Sequence, residues 1–533
     1  MSVDSDQGDP MTGDSNLLWS AALADGLVAG GVRRVVISPG SRSTPLALAF
    51  ERHPDLRTWM RLDERAAAFF ALGLARADLQ PVALVCTSGS APAHWYPAVL
   101  EADYGRVPLV LLSADRPPEL QDCGANQTVD QRGMFAGHVR AFHQADTAAE
   151  PDRTRYARTL GSRAAADSRA PLAGPVHVNI PFREPLVPET DPTVAPSPGA
   201  TVHVDPAPAP EPERIRHLAG VLSGRPGVVV CGWDHYPSGF AGAALELAEA
   251  LGWPLLADPL SDLRRDPGAG DPLLTRYDAF LRDGAFTERH RPEWVLRFGA
   301  PPVSRALSSY LEAAAAPTVL VAGHHRRLDP LHLTAEHVIA CPRRFCEALA
   351  GAVRAPAPPA WAAGFTAAEE RAAAAAAGLP VAAAPTEDRL IGELAERLPD
   401  GATLFCGNSL PVRDLDNHLC RGTRRLRVVG NRGTSGIDGG IATLLGLAAA
   451  EPGPAVGLLG DLAFQHDLGA LADARESPAT LIVLNNGGGA IFETLPQAQL
   501  PEFERAWLTP PSCDLERAAA LFGARFHRVT RQD

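Results

Sequence analysis

Short apolar runs that end on glycine or polar turns recur along the chain, each followed by a stretch with helical spacing. The first block holds RRVVISPG, VALVCTSG and PLVLLSAD, the second GVVVCGW, WVLRFG and TVLVAG, and the third TLFCGN, AVGLLGD and TLIVLNN. An unbroken short apolar run is a strand covered on both faces, and strands alternating with helices form parallel sheets. The pattern predicts an α/β chain of three consecutive domains, each a mostly parallel sheet flanked by helices. Two Pro/Ala-rich stretches, 183–214 and 354–389, separate the blocks. The first reads as an extended linker and the second as linker mixed with an Ala-rich helix. The domains then run over 1–190, 210–352 and 375–533. The outer two blocks look like one topology used twice.

Composition excludes more than it adds. At 533 residues the chain is too long for one core, and 46% hydrophobic with 21% charged content is ordinary for a globular protein. A net charge of −13 disfavours non-specific binding to nucleic acid or anionic membrane. All 49 basic residues are Arg, which removes Schiff-base lysine chemistry. Eight scattered Cys without a CxxC pair indicate neither a zinc site nor a disulfide framework, and they fit a reducing cytosol. The acidic start MSVDSDQGDPMTGDSN is wrong for a signal peptide, and no apolar run is long enough to span a bilayer. The expected location is the cytoplasm.

Candidate chemistry concentrates where the runs stop. AVGLLG stops on Asp461, and TLIVL stops on Asn485, Asn486 and three glycines. Parallel strands joined by a helical stretch put both carboxyl ends at one sheet edge, where ligands bind. Asp461 and Asn486 offer oxygen only, and the glycines admit a backbone carbonyl, a set suited to Mg²⁺. A polar turn after a buried strand is the competing reading. FCGNSLPVRDLD sets Asn408, Ser409 and Arg413 at a strand end. VVGNRGTSGIDGG places Arg432 among glycines that let backbone approach a ligand, with bulky Ile437 pressing against it. Ile491 and Phe492 either wall that ligand or simply pack.

In the first block, VVISPGSRSTPLALAF opens a helix with Ser41, Ser43 and Thr44 as caps. Its free N–H groups attract an anion, and Arg42 adds a fork for a carboxylate. RLDERAAAFFALGLARA reads as a helix with Glu64 in its first turn. Glu64 there either answers the helix dipole or, facing apolar neighbours, shares a proton with a ligand nitrogen. After PLVLLSAD, the residues Arg116, Asn126 and Gln127 stand in a polar loop with no obvious structural partner, as in a binding loop or a plain surface loop.

The order of these pieces resembles the thiamine-diphosphate-dependent enzymes. Their metal-diphosphate motif is Gly-Asp, a spacer, then Asn-Asn, and a glutamate matching Glu64 meets the cofactor's far ring. Their pyrimidine-binding, middle and diphosphate-binding domains follow the same three-block layout. Within them, SPGSRSTPL, LDERAAAFFALGLA, TSGSAPAHWYPA, ADRPPELQDCGANQ, GNSLPVRDLD and NRGTSGIDG resemble the 2-succinyl-5-enolpyruvyl-6-hydroxy-3-cyclohexene-1-carboxylate synthase family of menaquinone biosynthesis, over nearly the whole chain.

The resemblance implies a transferase that decarboxylates 2-oxoglutarate and adds the succinyl unit to isochorismate. It implies thiamine diphosphate with Mg²⁺, or Mn²⁺ in its place, held through Asp461, Asn486 and the Gly488 carbonyl. Glu64 becomes the group that drives the aminopyrimidine to its imino tautomer. Asn408, Ser409, Leu410, Gly436, Ile437 and Ile491 fall on further cofactor positions, Ile437 as the wedge that bends the cofactor. Ser41, Arg42, Arg116, Asn126, Gln127, Ser409, Arg413, Arg432, Ile491 and Phe492 fall on substrate positions, with Arg413 and Arg432 catalytic. Arg305 stands where relatives place a Lys. Glu64 facing the metal site across a subunit boundary implies a dimer at least, with tetramers common. Relatives continue past FGARFHRVTRQD through another helix and strand, so the resemblance leaves the third domain incomplete. Two rivals stand. An acetolactate-synthase-like decarboxylase or carboligase needs fewer carboxylate-binding arginines, and some carry flavin in the middle domain. A non-catalytic module keeping the fold has no need of Glu64, Asp461 and Asn486.

Overall fold

The computed structural model describes residues 11–147, 154–190, 192, 207–268, 270–379, 386–450, 453–475 and 477–530. Three sheets follow one another along it, and every strand pairing is parallel. The first contains β1 (Arg34–Ile37), β2 (Arg57–Met60), β3 (Val82–Cys86), β4 (Leu109–Asp115), β5 (Phe142–Gln144) and β6 (Pro175–Pro181), in the order β2-β1-β3-β4-β6-β5. The second contains β7 (Gly227–Cys231), β8 (Leu255–Ala257), β9 (Leu273–Leu274), β10 (Trp294–Phe298), β11 (Thr318–Ala322) and β12 (Thr334–Ile339), in the order β12-β11-β10-β7-β8-β9. The third contains β13 (Ala402–Cys406), β14 (Leu426–Val429), β15 (Ala455–Gly460) and β16 (Thr480–Leu484), in the order β14-β13-β15-β16. Its winding repeats that of the first four strands of the first sheet, as the outer blocks suggested.

The apolar runs are unbroken because both sheet faces are covered. On β1, Val35 and Ile37 enter the core beneath α1 (Met11–Ala29) and α5 (Thr154–Arg169). Val36 enters the opposite core beneath α3 (Glu64–Asp78) and α4 (Tyr96–Gly105). Helix α3 is buried from Ala66 to Ala77, because the third sheet's helix Gly440–Ala450 covers the side the first sheet leaves free.

The first Pro/Ala-rich stretch departs from the expected linker, while the second holds the expected Ala-rich helix. The segment opening at Arg183 is docked rather than free: Asn16 donates to the Arg183 and Pro185 carbonyls, and Asp14 accepts from Glu189 and Thr190 N–H. Residue 191 and residues 193–206 of that stretch lie outside the described residues. The Ala-rich helix Pro359–Ala377 packs Trp361, Phe365 and Ala368 into the core of the second sheet.

Arginines join the sheets to one another. Arg106 pairs with Asp234, the first sheet to the second, and Arg264 pairs with Asp416, the second to the third, all four buried. Arg264 also donates to the Asp416 and Leu419 carbonyls, a use of several guanidinium donors at once that a lysine cannot reproduce. All eight cysteines are free, as their spacing suggested. No helix among the described residues is long and apolar enough to cross a membrane.

A polar network is buried at β4 and β6, and it sets an acid limit. The Ser113 hydroxyl donates to Asn179 Oδ1 (2.8 Å), so its oxygen accepts from His177 Nε2–H (2.7 Å), and His177 Nδ1 has no partner among the described residues. Burial pushes the His177 pKa from 6.5 down to about 3. The unfolded chain takes up this proton below its ordinary pKa while the folded chain refuses it. Stability from this group is therefore complete above pH 6.5 and is lost as pH falls toward 3. The slope is about 1.4 kcal/mol per pH unit. Urea unfolding across that window is expected to show a flatter pH dependence for His177→Gln than for wild type; parallel curves would refute the assignment.

Candidate active site

The turns that carry Asp461 and Asn486 leave one sheet edge, as the strand pattern predicts. In register, Gly460 at the end of β15 lies opposite Leu484 at the end of β16, so Asp461 and Asn485 leave the same sheet edge. Asp461 opens the helix Asp461–His466 and is 3% exposed. Its Oδ2 accepts from the N–H groups of Gly487 (3.0 Å) and Gly488 (2.8 Å), and its Oδ1 from Leu462 N–H (2.7 Å). No basic side chain pairs with it among the described residues. A buried carboxylate with three dipoles and no countercharge is a place that a cation completes. The exposed Asn486 makes no side-chain hydrogen bond among the described residues, and the Gly488 carbonyl accepts from Ala490 N–H (2.9 Å) with one lone pair left. A carboxylate, an amide oxygen and a carbonyl suit Mg²⁺, so the residues present fit the group.

Gly488 cannot be replaced cheaply. Its φ is +125°, and an added Cβ would lie 2.1 Å from the Leu508 carbonyl oxygen. Gly488→Ala must shift the loop off Asp461. We expect Mg²⁺ affinity to weaken about tenfold or more, measured by calorimetric titration; wild-type affinity would contradict this.

Glu64 begins α3, whose N-cap Asp63 accepts from Arg65 N–H (2.8 Å) and Ala66 N–H (3.2 Å). Glu64 itself is half-buried and makes no hydrogen bond or ion pair among the described residues. It lies near Cys86 at the end of β3, whose thiol is pushed up first by burial and then by the Glu64 charge. Beside it, Arg65 donates to the His466 carbonyl (3.3 Å) and lies 3.4 Å from Asp467. In one chain, therefore, the start of α3 abuts the far end of the helix that Asp461 opens, about 9 Å along its axis.

The first-sheet arginines sit together. Arg42 is 7% exposed and donates to the Phe182 carbonyl (3.0 Å) and to Glu184 (2.8 Å). Burial, then the positive charge of Arg42, holds the Arg116 pKa below its ordinary value. The serine caps do not form. Ser43 occupies the N-cap of α2 (Thr44–Glu51), but its hydroxyl donates back to the Gly40 carbonyl (3.0 Å), the Thr44 hydroxyl donates to the Ser41 carbonyl (2.7 Å), and Ser41 is exposed. A hydroxyl this close to its own backbone carbonyls satisfies itself there instead. Arg116 and Gln127 do have partners. Arg116 donates to Ser88 Oγ and to the Gln127 carbonyl (3.0 Å), and Gln127 Nε2 donates to the Ser88 carbonyl (3.0 Å). The loop is thus folded onto the turn after β3, with Asn126 exposed.

The third-sheet group centres on Asn408, buried after β13. Its Nδ2 donates to the Asn431 (2.8 Å) and Gly436 (2.7 Å) carbonyls, and its Oδ1 accepts from Arg432 (2.6 Å). Burial lowers the Arg432 pKa, Asp258 opposes that, and Arg413 adds to it, so Arg413 and Arg432 share one field. Arg413 is exposed and donates to the carbonyl of Ser409 (2.6 Å), which has a positive φ of 72°. Leu410, Ile491 and Phe492 are part-exposed, and Ile437 is 38% exposed. Arg305 is exposed at the start of the helix Arg305–Ala314, beyond Val303, whose N–H donates to Asp258 (2.8 Å). No hydrogen bond or ion pair among the described residues joins Arg42 and Arg116 to Arg413 and Arg432 within one chain.

Sequence reasoning missed three carboxylates here: Glu184 on Arg42, Asp258 facing Arg432, and Glu101. Only Glu101 left a signal, as an acid between the buried Val99 and Ala102 of α4.

Comparison with known proteins agrees with the fold. Residues 19–134 match the family model "Thiamine pyrophosphate enzyme, N-terminal TPP binding domain", and residues 213–406 match "Middle domain of thiamine pyrophosphate". A solved benzoylformate decarboxylase from Polynucleobacter necessarius superposes with a TM-score of 0.69 at 16% identity, covering 96% of this chain and 94% of its own; at that identity it speaks for the fold alone. Proteins named 2-succinyl-5-enolpyruvyl-6-hydroxy-3-cyclohexene-1-carboxylate synthase are much closer. The one from Dechloromonas aromatica is 43% identical, covering 98% of this chain and 95% of its own length. That from Chloroflexus aurantiacus is 44% identical over 96% and 89%. That from Haloarcula marismortui is 41% identical over 96% and 91%. Likeness over nearly the full length to these enzymes, and the match to the cofactor-binding domain model, place the chain in the thiamine-pyrophosphate-dependent 2-succinyl-5-enolpyruvyl-6-hydroxy-3-cyclohexene-1-carboxylate synthase family.

Proposed function

We propose that this enzyme takes 2-oxoglutarate as donor and isochorismate as acceptor, losing CO₂ from the first and joining the remainder to the second. Thiamine diphosphate with Mg²⁺ supplies, when bound, the electron sink and the nucleophilic carbon. The protein's own residues do the rest. Asp461, Asn486 and the Gly488 carbonyl hold the metal, Glu64 exchanges a proton with the cofactor's ring nitrogen, and Ile437 presses on the cofactor from the glycine loop. The observation that carries the substrate reading is the pairing of like charges. Arg42 lies close enough to Arg116, and Arg413 to Arg432, for its positive charge to add to the burial that lowers the second residue's pKa. Such pairs are relieved by an anion, and both substrates are dicarboxylates.

Glu64 and Asp461 work together across two chains in this reading, so the smallest competent unit is a homodimer, with a tetramer open to it, in the cytoplasm. An acetolactate-synthase-like rival with flavin in its middle domain fits less well. The second sheet has the dinucleotide-binding strand order, but just after β7 the Tyr236 hydroxyl donates to the Gly232 carbonyl (2.8 Å), and Trp233 packs with the third sheet's core, its ring under the Arg106 guanidinium (5.2 Å).

The test follows CO₂ release from 2-oxoglutarate and from pyruvate, with isochorismate, thiamine diphosphate and Mg²⁺ present. Release from 2-oxoglutarate that depends on isochorismate is expected; preference for pyruvate would overturn the proposal. In the same assay Arg413→Ala should lower kcat/KM by a contact worth roughly 1.5–3 kcal/mol. Its one hydrogen bond among the described residues is to its own helix's cap, so thermal stability should barely move. Equal loss of both would sink the role given to Arg413.

A further inference from the structure

We infer that Glu101 is a positioning residue for the glycine loop 430–440, locking the substrate-facing side of the third sheet to the first. The inference rests on the reading of Arg432 and Ile437 given above. The loop carries both, yet it has no regular structure between β14 and the helix Gly440–Ala450. From the third sheet it is tied through Asn408, and through Asn431 Nδ2 donating to Thr443 Oγ1 (3.0 Å). From the first sheet it is tied, among the described residues, by one carboxylate. Glu101, on α4, is 2% exposed; its Oε1 accepts from Gly433 N–H (2.8 Å) and Arg76 Nη2 (2.6 Å), and its Oε2 from Thr434 N–H (2.7 Å) and Thr434 Oγ1 (3.1 Å).

The geometry leaves little slack. An added Cβ on Gly433 would lie 2.5 Å from the Glu101 carbonyl oxygen and 2.6 Å from Gly105 N, so the loop backbone rests directly on the end of α4. Arg432 is the next residue. Its guanidinium already holds Asn408, and a loop displaced from α4 carries that guanidinium away from a substrate carboxylate. Arg76 supplies the countercharge that lets an ionised Glu101 stay buried, and it is buried equally. A glutamine at 101 cannot replace the clamp. One end of its amide donates, and in either orientation it meets donors: Arg76 and Gly433 on one side, Thr434 on the other.

The experiment compares wild type, Glu101→Gln, Glu101→Asp and Gly433→Ala, with Asp234→Asn as a control that breaks a buried ion pair between the first and second sheets. Steady-state kinetics with 2-oxoglutarate and isochorismate are read alongside deuterium uptake by the 430–440 segment. For Glu101→Gln and Gly433→Ala we expect the KM of at least one dicarboxylate to rise about tenfold or more. Faster uptake in 430–440 and unchanged uptake in 485–489 should accompany it. Glu101→Asp, which keeps the charge and both acceptors, should recover part of the KM. Asp234→Asn should lose thermal stability with KM unchanged. If Glu101→Gln fails to fold, Gly433→Ala carries the same test with the ion pair intact. An unchanged KM, or unchanged uptake in 430–440, overturns the positioning role. Wild type inactive on both substrates overturns the proposed function instead, and the uptake comparison still decides whether Glu101 holds the loop.

Discussion

Asp461→Ala is expected to abolish Mg²⁺-dependent binding of thiamine diphosphate, and measurable turnover with it. Two losses add. A cation bound at this edge would lose the buried Asp461 carboxylate, and the N–H groups of Gly487 and Gly488 lose their acceptor. A buried donor left unpaired costs about 1–3 kcal/mol, enough to release the loop from the sheet edge. The combined effect on kcat/KM should exceed about a thousandfold, or roughly 4 kcal/mol. Asp461→Asn keeps an acceptor of the same shape and should fall between the two. Calorimetric titration with the cofactor and Mg²⁺ measures this directly, and wild-type affinity in the alanine variant would refute the metal assignment.

The second large effect is expected at Glu64, with the opposite signature. Its carboxylate supports nothing else in the chain, since it makes no hydrogen bond or ion pair among the described residues. Glu64→Gln should therefore leave the melting temperature within about 2 °C of wild type. It should leave Mg²⁺ affinity unchanged too. What it removes is a group able to accept and return a proton, and kcat should fall by roughly 10²–10⁴. Retained turnover would refute the proton-exchange role given to Glu64.

How far the sequence was legible follows from the range of the interactions. The strands were legible because parallel sheets covered on both faces need unbroken apolar runs, as in Val82–Cys86 and Gly227–Cys231. The approach of Asp461 to the Asn485–Gly488 loop was legible because two parallel neighbours in register must end together. Contacts set by tertiary packing were not. Glu101 meets Gly433 and Thr434 more than three hundred positions away, and no periodicity marks such a pair. Asn16 and Asp14 dock a Pro-rich segment that composition alone reads as linker. The serines before α2 misled for a local reason, since cap-forming residues also suit turns that satisfy their hydroxyls on nearby carbonyls.

The central claim is that one chain's Glu64 completes the metal site of another chain, and subunit mixing tests it. Glu64→Gln and Asp461→Ala chains, each inactive alone, are unfolded together, refolded at equal amounts and assayed with 2-oxoglutarate and isochorismate. In a mixed dimer, one site would receive an intact Glu64 from one chain and an intact Asp461 from the other. Random pairing should restore about a quarter of wild-type turnover. If both groups of a working site came from one chain, every site in the mixture would lack one of them, and the mixture would stay as inactive as its parents.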